Sequence, residues 1–272
     1  MGCLPSHGRV NCTRCFGDGA RIDFDRTRRT AEDGQWRITA NPLAWGNSEP
    51  EIVVLGFSKG PTQAGALATT PHDQIAYKGS RTAVGKILAH VGVVDRPADG
   101  NLGRAVDKLI ADRRGRFHFG SLVRCTVARF DEKEDQLNRS RRPAEQKDPW
   151  KGSGGGMLDK FVATPFGKEI AGNCAMTFLA SLPTSTKLVI MFGLGTKMNY
   201  VREARRLISS VRPGAWRTVN DVAYTDGRVT FVHVEHFASQ GALIPNWLGE
   251  NKHDRSKLGT MAREAVRLAL AD

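Results

Sequence analysis

Four cysteines have the residue type and the spacing to hold a metal centre. Cys12 and Cys15 are separated by two residues, whereas Cys125 and Cys174 each lie alone much further along the chain. Four thiolates that converge in space can ligate a soft metal ion or an iron–sulfur cluster. Such a site would fasten the N-terminal segment to the middle of the fold, and Cys3 would remain outside it.

The alternatives differ between the close pair and the single cysteines. Cys125 lies in the apolar stretch 119–127 and, taken alone, is more typical of core packing than of metal ligation. Cys12 and Cys15 lie in a polar loop, where burial does not explain them. The strand-to-helix pattern of a thioredoxin-like redox motif does not flank them. A zinc site remains open, but zinc sites usually combine two close pairs, so this layout favours an iron–sulfur cluster.

The composition points to a nucleic-acid partner. The 272 residues are 40% hydrophobic, which is enough for a sizeable core, and they carry a formal net charge of +12. The isoelectric point is near 9.8. Such a surplus of positive charge on a folded domain is typical of proteins that bind DNA or RNA, although an ordinary basic protein is the alternative.

The same survey predicts a cytoplasmic protein without a membrane span. A membrane helix would need a run of about 18 apolar residues, which the sequence lacks. The polar residues 6–9 do not resemble the apolar core of a signal peptide. Free thiols fit a reduced compartment, and we expect a monomer.

The hydrophobic patterning predicts an α/β alternation. The predicted strands are 51–57, 116–127 and 187–193, followed by a hairpin of 218–224 and 228–236 around Asp226 and Gly227. The predicted helices are 80–91, 102–113, 166–182, 200–210 and 256–270. Strands separated by helices indicate a parallel sheet covered on both faces. Active sites of such folds gather at the carboxyl ends of the strands, which here carry the Gly56 loop, Cys125, Gly193 and His236.

The segment 131–156 interrupts this alternation. Its mixed charge, its prolines and its glycine run predict a flexible, basic surface loop. It contains one potential stacking ring and five cations, namely Trp150 and Arg139, Arg141, Arg142, Lys147 and Lys151. That mixture suits phosphates and exposed bases, and a solvated spacer is the alternative.

The order of short motifs along the chain resembles a known family. The motifs are the Cys12 and Cys15 pair, GFSKG at 56–60, AYKG at 76–79, SLVRC at 121–125, the helical Cys174, VIMFGLG at 189–195 and a histidine loop at 236. They resemble the GEAPG, PFVG, NVVKC and HPS-type landmarks of the iron–sulfur, family-four type of the uracil-DNA glycosylase superfamily. The match extends over roughly residues 12–243.

This resemblance implies a fold, a cofactor and an activity. The fold would be a single domain over 1–272, a three-layer α/β/α sandwich around a central, mainly parallel four-stranded sheet. The cofactor would be a 4Fe–4S cluster held by Cys12, Cys15, Cys125 and Cys174. The activity would be that of a monofunctional glycosylase, which flips a nucleotide out of single- or double-stranded DNA and hydrolyses the bond between base and deoxyribose.

The resemblance also suggests roles for individual residues. His236 would donate a hydrogen bond to the departing base, with a backbone-satisfied histidine as the alternative. Ser58 or Asp73 would orient the attacking water, although Asp73 also suits a turn. Phe57, Tyr77 and Ser121 would bind the base, and Tyr77 could instead cap the core. The residues expected to contact DNA are Lys59, Lys78, Arg81, Arg124, Ser239 and Gln240.

Two departures from the family pattern bear on the substrate. Phe57 stands where the family has its glutamate, and Ser121 stands where it has the asparagine that pairs with uracil. We therefore expect a larger, modified pyrimidine, such as glucosylated 5-hydroxymethylcytosine in phage DNA, which would make the protein part of an antiviral defence. The alternatives are a uracil-DNA glycosylase of base-excision repair, a non-catalytic DNA-binding protein and a zinc-stapled structural protein.

Overall fold

The structure is a computed structural model that describes residues 2–17, 21–152 and 157–271. Its strands are β1 (Gly8–Arg9), β2 (Arg28–Thr30), β3 (Trp36–Thr39), β4 (Leu43–Gly46), β5 (Ile52–Gly56), β6 (Phe117–Ser121), β7 (Thr126–Phe130), β8 (Trp150–Gly152), β9 (Leu188–Phe192), β10 (Arg217–Asn220), β11 (Ala223–Thr225) and β12 (Thr230–Val234). Its helices are α1 (Pro61–Gly65), α2 (His72–Ile75), α3 (Arg81–His90), α4 (Leu102–Ala111), α5 (Glu132–Asn138), α6 (Leu158–Val162), α7 (Pro165–Phe178), α8 (Asn199–Val211), α9 (Leu243–Leu248) and α10 (Ser256–Ala269).

The main sheet has eight strands in the order β1-β4-β6-β5-β9-β12-β11-β10. The pairings between β6, β5, β9 and β12 are parallel. The other four pairings, towards both edges, are antiparallel. The prediction of a central, mainly parallel four-stranded sheet is therefore wrong, because antiparallel strands extend the sheet on both sides and a second sheet lies beside it. The sequence reasoning missed β1, β2, β3, β4 and β8, which are only two to four residues long.

The centre of the main sheet is buried on both faces. Successive side chains of a strand point to opposite faces, and every residue of β5 and β9 is buried. Helices α3, α4, α9 and α10 form one packed group, and α6, α7 and α8 form another. Because both faces of the central strands are covered, these strands are apolar throughout and do not alternate between apolar and polar residues.

The second sheet is antiparallel and has the order β2-β3-β7-β8. It corrects the prediction of one continuous strand over 116–127, since β6 belongs to the main sheet and β7 to the second sheet. The chain crosses between the sheets at residues 122–125. There the backbone N–H groups of Leu122 and Val123 donate to the carbonyls of Gly56 and Phe57, at 2.8 and 2.9 Å. Cys125 lies at the end of this crossing.

The segment 131–152 contains a helix and a strand where the sequence predicted a loop, and residues 153–156 lie outside the described chain. Asp131 caps α5 by accepting from the backbone N–H groups of the next turn. Strand β8 adds to β7. Trp150 packs on Phe130 with ring centroids 5.3 Å apart, and the Arg37 guanidinium lies 4.4 Å from the Trp150 ring. Local propensity cannot reveal this order, because it depends on pairing with a distant strand.

The C-terminal part builds the other edge of the main sheet. The predicted hairpin is a three-stranded meander of β10, β11 and β12, with Asp226 and Gly227 in the turn before β12. The predicted helices over 200–210 and 256–270 correspond to α8 and α10. Among the described helices, none has the length and apolar character needed to cross a membrane.

A buried ion pair anchors the turn that leads into β12. Arg212 and Asp226 are 5% and 6% exposed, and the guanidinium Nε donates to the carboxylate. We expect Asp226→Asn to lower the free energy of unfolding by about 3–5 kcal/mol, because it leaves a buried guanidinium without its counter-charge. Urea denaturation measures this loss. The control is Asp254→Asn, which removes the partner of an exposed lysine and should leave stability unchanged; equal effects of both variants would contradict the prediction.

Candidate active site and cysteine cluster

A pocket lies where the parallel strands β5, β6 and β12 end. Residues that follow β5 and β12, and the last residue of β6, converge there because parallel strands place their carboxyl ends at one edge of a sheet. The lining residues are Trp45, Gly56, Phe57, Ser58, Gln63, Ala76, Tyr77, Gly120, Ser121, His236 and Phe237. Five residues singled out from the sequence as base-binding or catalytic, Phe57, Ser58, Tyr77, Ser121 and His236, are among them. The structure thus brings together side chains that are up to 179 positions apart in sequence.

His236 is held as a neutral hydrogen-bond donor. Its Nδ1 accepts from the backbone N–H of Ala238 at 3.2 Å, so in the neutral ring the proton is on Nε2. Burial lowers the pKa of His236 to about 4, and the neighbouring Glu235 carboxylate only partly opposes this shift. The imidazole stacks on Phe237 with ring centroids 4.4 Å apart. At neutral pH, His236 can therefore offer a proton-bearing Nε2 without carrying a charge.

Glu235 fixes the loop that carries His236. It is 2% exposed, and its Oε1 accepts from the backbone N–H of His236 at 3.0 Å and from the Ser239 hydroxyl at 2.8 Å. Its Oε2 accepts from Arg255 Nε at 2.6 Å. Ser239, which we predicted to contact DNA, thus donates its hydroxyl hydrogen to Glu235 within the loop. The adjacent Gln240, also predicted to contact DNA, is exposed. Sequence reasoning missed Glu235, because only its position next to His236 hints at this role.

Tyr77 adopts a strained backbone conformation at the pocket. Its φ is +53°, in the left-handed region, which is rare for a bulky residue. The ring contacts Phe119, Phe192 and Phe237 edge to face, with centroids 5.0 to 6.1 Å apart. Its hydroxyl is buried and has no hydrogen-bond partner among the described residues, and burial raises its pKa. Both features are typical of a residue positioned for a ligand.

The pocket is nearly closed. Its cavity volume is only about 10 Å³, roughly the room for one water. Phe57 is buried and packs edge to face on Phe161. The half-buried Ser121 and Gln63 supply a hydroxyl and a carboxamide. Gln63, in α1, was missed because a single glutamine in a short helix has no distinguishing spacing.

Ser58 and Asp73, the two predicted water-orienting residues, have different surroundings. The Ser58 hydroxyl lines the pocket and accepts from the backbone N–H of Val127 at 3.2 Å, which ties the loop to β7. Asp73 does not line the pocket. Its carboxylate lies 2.7 Å from Nε2 of His7. The role predicted for Asp73 in orienting water is therefore not supported, because its side chain is engaged elsewhere.

Asp73 belongs instead to a polar network with His7 and His72, whose potential ligand atoms all lie within 4.8 Å of one another. These atoms are already in use. His7 Nδ1 accepts from the backbone N–H of Gly46 at 3.2 Å, so in the neutral ring the proton is on Nε2. This Nε2 lies 2.7 Å from Asp73 Oδ1, but the two atoms do not form a hydrogen bond of good geometry. His72 Nε2 donates to the Ala44 carbonyl at 2.9 Å. The network holds α2 against β4, and His7 has no free lone pair to offer a metal.

The four cationic residues predicted to contact DNA fall into two groups. Lys78 is exposed, and its Nζ donates to Thr70 at 2.8 Å. Arg81 is half-buried and forms an ion pair with Asp107. Lys59 and Arg124 are 2% and 1% exposed. The prediction that Lys59 and Arg124 contact phosphates is wrong, because their charged groups point into the protein.

The four cysteines of the predicted metal site lie around these buried cations. Cys15, Cys125 and Cys174 are buried, Cys12 is half-buried, and all are free thiols. A hydrogen bond with Cys174 lowers the pKa of Cys15 to about 7 despite burial. Cys125 interacts electrostatically with Cys12 and Cys15, and its pKa is raised to about 11 by burial. Cys15 therefore lies next to Cys174, and Cys125 lies within electrostatic range of Cys12 and Cys15.

This donor set fits an iron–sulfur cluster better than zinc. Zinc binds thiolates at about 2.3 Å in a tetrahedron, which brings the sulfurs into contact. The cysteine sulfurs of the described chain do not form a group within 4.8 Å of one another. A cubane core holds its thiolates at its outer corners, further apart, and iron–sulfur centres take four cysteines. Cys12, Cys15, Cys125 and Cys174 would hold such a cluster, which would brace the N-terminal segment.

The chain matches no protein-family model and no curated protein. The family resemblance of its motifs therefore stays a prediction, and the geometry of the pocket carries the functional argument.

The surroundings of His236 predict an unusual titration. We expect its imidazole to titrate with a pKa of about 4, since burial disfavours the charged ring. Proton–carbon NMR of the ring measures this value, with His236→Gln used to assign the signal. A midpoint near the ordinary value of about 6.5 would contradict the buried placement of the ring.

Proposed function

We propose that the protein is a DNA glycosylase that flips a modified pyrimidine into the pocket and hydrolyses its N-glycosidic bond. The observation that carries the proposal is the convergence of Tyr77, Ser121 and His236 on one pocket at the carboxyl ends of parallel strands. All three correspond to motif positions of the family that the sequence resembles. The net charge of +12 supports a polyanionic partner.

His236 suits the chemical step. Breaking the bond to deoxyribose leaves negative charge on the base, and a donor aimed at that charge stabilises the transition state more than the ground state. A neutral imidazole with its proton on Nε2 can donate without losing that proton. In a pocket that excludes water, such a hydrogen bond is strengthened by the low dielectric.

The sugar side of the reaction would depend on the DNA itself. Among the described residues that line the pocket, none carries a carboxylate, and Phe57 stands at the place of the family's glutamate. Phosphates flanking the flipped nucleotide would stabilise the positive character of the sugar through their charge. Ser58 lies at the pocket wall, and its oxygen accepts from the backbone N–H of Val127.

The pocket must open to admit any base. Phe237 is half-buried, follows His236 in an exposed loop, and packs against the edge of Tyr77 with centroids 5.0 Å apart. Among the phenylalanine and tyrosine rings that line the pocket, Phe237 is the least buried, because Phe57 and Tyr77 are 1% and 4% exposed. A flipped base would displace Phe237 and take its place against Tyr77, where the buried hydroxyl gains a hydrogen-bond partner.

Gln63 favours a second candidate substrate, uracil. Its carboxamide offers both a donor and an acceptor, which suits the edge of uracil. Gln63 would then do what the family's asparagine does, since this chain has Ser121 at that position. The main candidate, a pyrimidine with a large 5-substituent such as glucosylated 5-hydroxymethylcytosine, rests on the smaller side chain at Ser121.

A panel of DNA substrates tests the proposal. The protein is incubated with single- and double-stranded DNA containing uracil, hypoxanthine or glucosylated 5-hydroxymethylcytosine, and abasic sites are detected by alkaline cleavage. We expect release of the modified cytosine. Release of uracil alone would support the second candidate and refute the first. Salt-sensitive DNA binding without release of any base would refute the enzymatic function and support a non-catalytic DNA-binding protein.

His236→Ala should reduce the rate of base release by about 100- to 1,000-fold, because it removes the donor to the departing base. DNA affinity, measured by fluorescence anisotropy on the same substrate, should not change, and the melting temperature serves as the folding control. A rate within a few-fold of the wild type would remove His236 from the mechanism.

Gln63→Leu preserves the volume of the side chain and removes its amide. We expect kcat/KM for the preferred base to fall by about 10-fold or more, since polar edges of the base lose their partner in a dry site. The matched control is Gln136→Leu, an exposed position on α5, which should keep the wild-type value. Equal values for all three proteins would show that Gln63 does not contact the base.

A further inference from the structure

Two fully buried cations lie next to the cysteines without a carboxylate partner. Lys59 and Arg124 are 2% and 1% exposed, and no acidic side chain of the described residues forms an ion pair with either within 4.0 Å. Burying an unpaired charge is so unfavourable that buried charges are almost always paired or bound to a metal site. These two cations therefore require an anion in their surroundings.

The polar contacts of Lys59 and Arg124 are to neutral groups. Lys59 Nζ donates to the backbone carbonyl of Arg124. The guanidinium donates to the Leu43 carbonyl at 3.2 Å and to His118 Nε2 at 3.1 Å. His118 is neutral here, because its Nε2 accepts from the guanidinium while its Nδ1 donates to a backbone carbonyl at 2.8 Å. These bonds satisfy the N–H groups in part, but they do not balance the two positive charges.

The remaining groups within electrostatic range are mostly thiols. Lys59 interacts with Cys125 and Cys174, and more weakly with the Asp25 carboxylate. Arg124 interacts with Cys174 and Cys12. The fold also makes room for the guanidinium: a Cβ at Gly120 would lie 2.7 Å from Arg124 Nη1. The glycine in β6 thus provides the space for a cation beside the sulfurs.

We propose that Lys59 and Arg124 are the counter-charges of a four-cysteine iron–sulfur cluster and raise its reduction potential. A cubane core ligated by four thiolates is an anion, and two buried cations beside it lower the cost of that charge. Reduction adds one electron to the anion, which a nearby positive charge favours. The inference rests on the cysteine site and not on glycosylase activity, so it can hold if no base is released.

Lys59→Met tests the inference, because methionine keeps the length of the side chain and removes the charge. The proteins are purified anaerobically, iron and sulfide are determined per chain, and the potential is measured by voltammetry at an electrode. We expect wild type to contain a 4Fe–4S cluster and Lys59→Met to show a more negative potential or a lower iron content. The control is Lys108→Met, an exposed lysine on α4, with wild-type values of both.

Lys59→Arg separates charge from packing if Lys59→Met loses the cluster. Arginine keeps the positive charge, so we expect this variant to retain iron and sulfide where the methionine variant does not. Loss of the cluster from both variants would overturn the proposal, because packing and not charge would then be the cause. An unchanged potential in a fully loaded Lys59→Met protein would overturn it too, as would zinc or no metal in the wild type.

Discussion

The parallel pairing of β5 with β6 and β9 is the constraint on which the candidate site depends. In its register Gly56 lies opposite Ser121, and Leu55 lies opposite Met191. The three strands therefore end at one level, and the residues that follow them emerge at a common edge. The apolar sequence of β5 and β9 enforces this arrangement, because both strands are buried on both faces and a slipped register would bring polar loop residues into the core.

A short ladder beyond this edge connects the pocket with the cysteines. The carbonyls of Gly56 and Phe57 accept from Leu122 and Val123, and Lys59 donates to the carbonyl of Arg124. The loop that begins at the end of β5 thus holds residues 122–124, where the chain crosses between the sheets. One end of the ladder forms the pocket wall, and the other end places a buried lysine beside Cys125. A change in the charge of the cysteine sulfurs would therefore alter the electrostatic potential two or three residues from the pocket wall.

How much the sequence could predict differs between elements for physical reasons. The helices α3, α4, α7, α8 and α10 and the buried strands have strong local patterns, and their predicted ranges were close. The change of sheet after Ser121 is invisible locally, because residues 122–130 contain no glycine or proline to mark a break. It occurs because β5, the partner of β6, ends at Gly56. The roles of Gln63 and Glu235 are equally invisible locally, because they depend on neighbours distant in sequence. Lys59 and Arg124 have the sequence pattern of surface cations, and only the fold buries them.

The strain at Tyr77 is maintained by its surroundings. A left-handed tyrosine costs on the order of 1–3 kcal/mol, and it persists here because the ring is enclosed by Phe119, Phe192 and Phe237. Arg81 holds the same turn by donating to the Ala76 carbonyl at 2.9 Å and to the Asp73 carbonyl. If a base displaces Phe237, as the proposed function requires, the turn would stay fixed and the side of the Tyr77 ring that Phe237 covers would become available. The Tyr77 hydroxyl, which has no hydrogen-bond partner among the described residues, could then bond to that base.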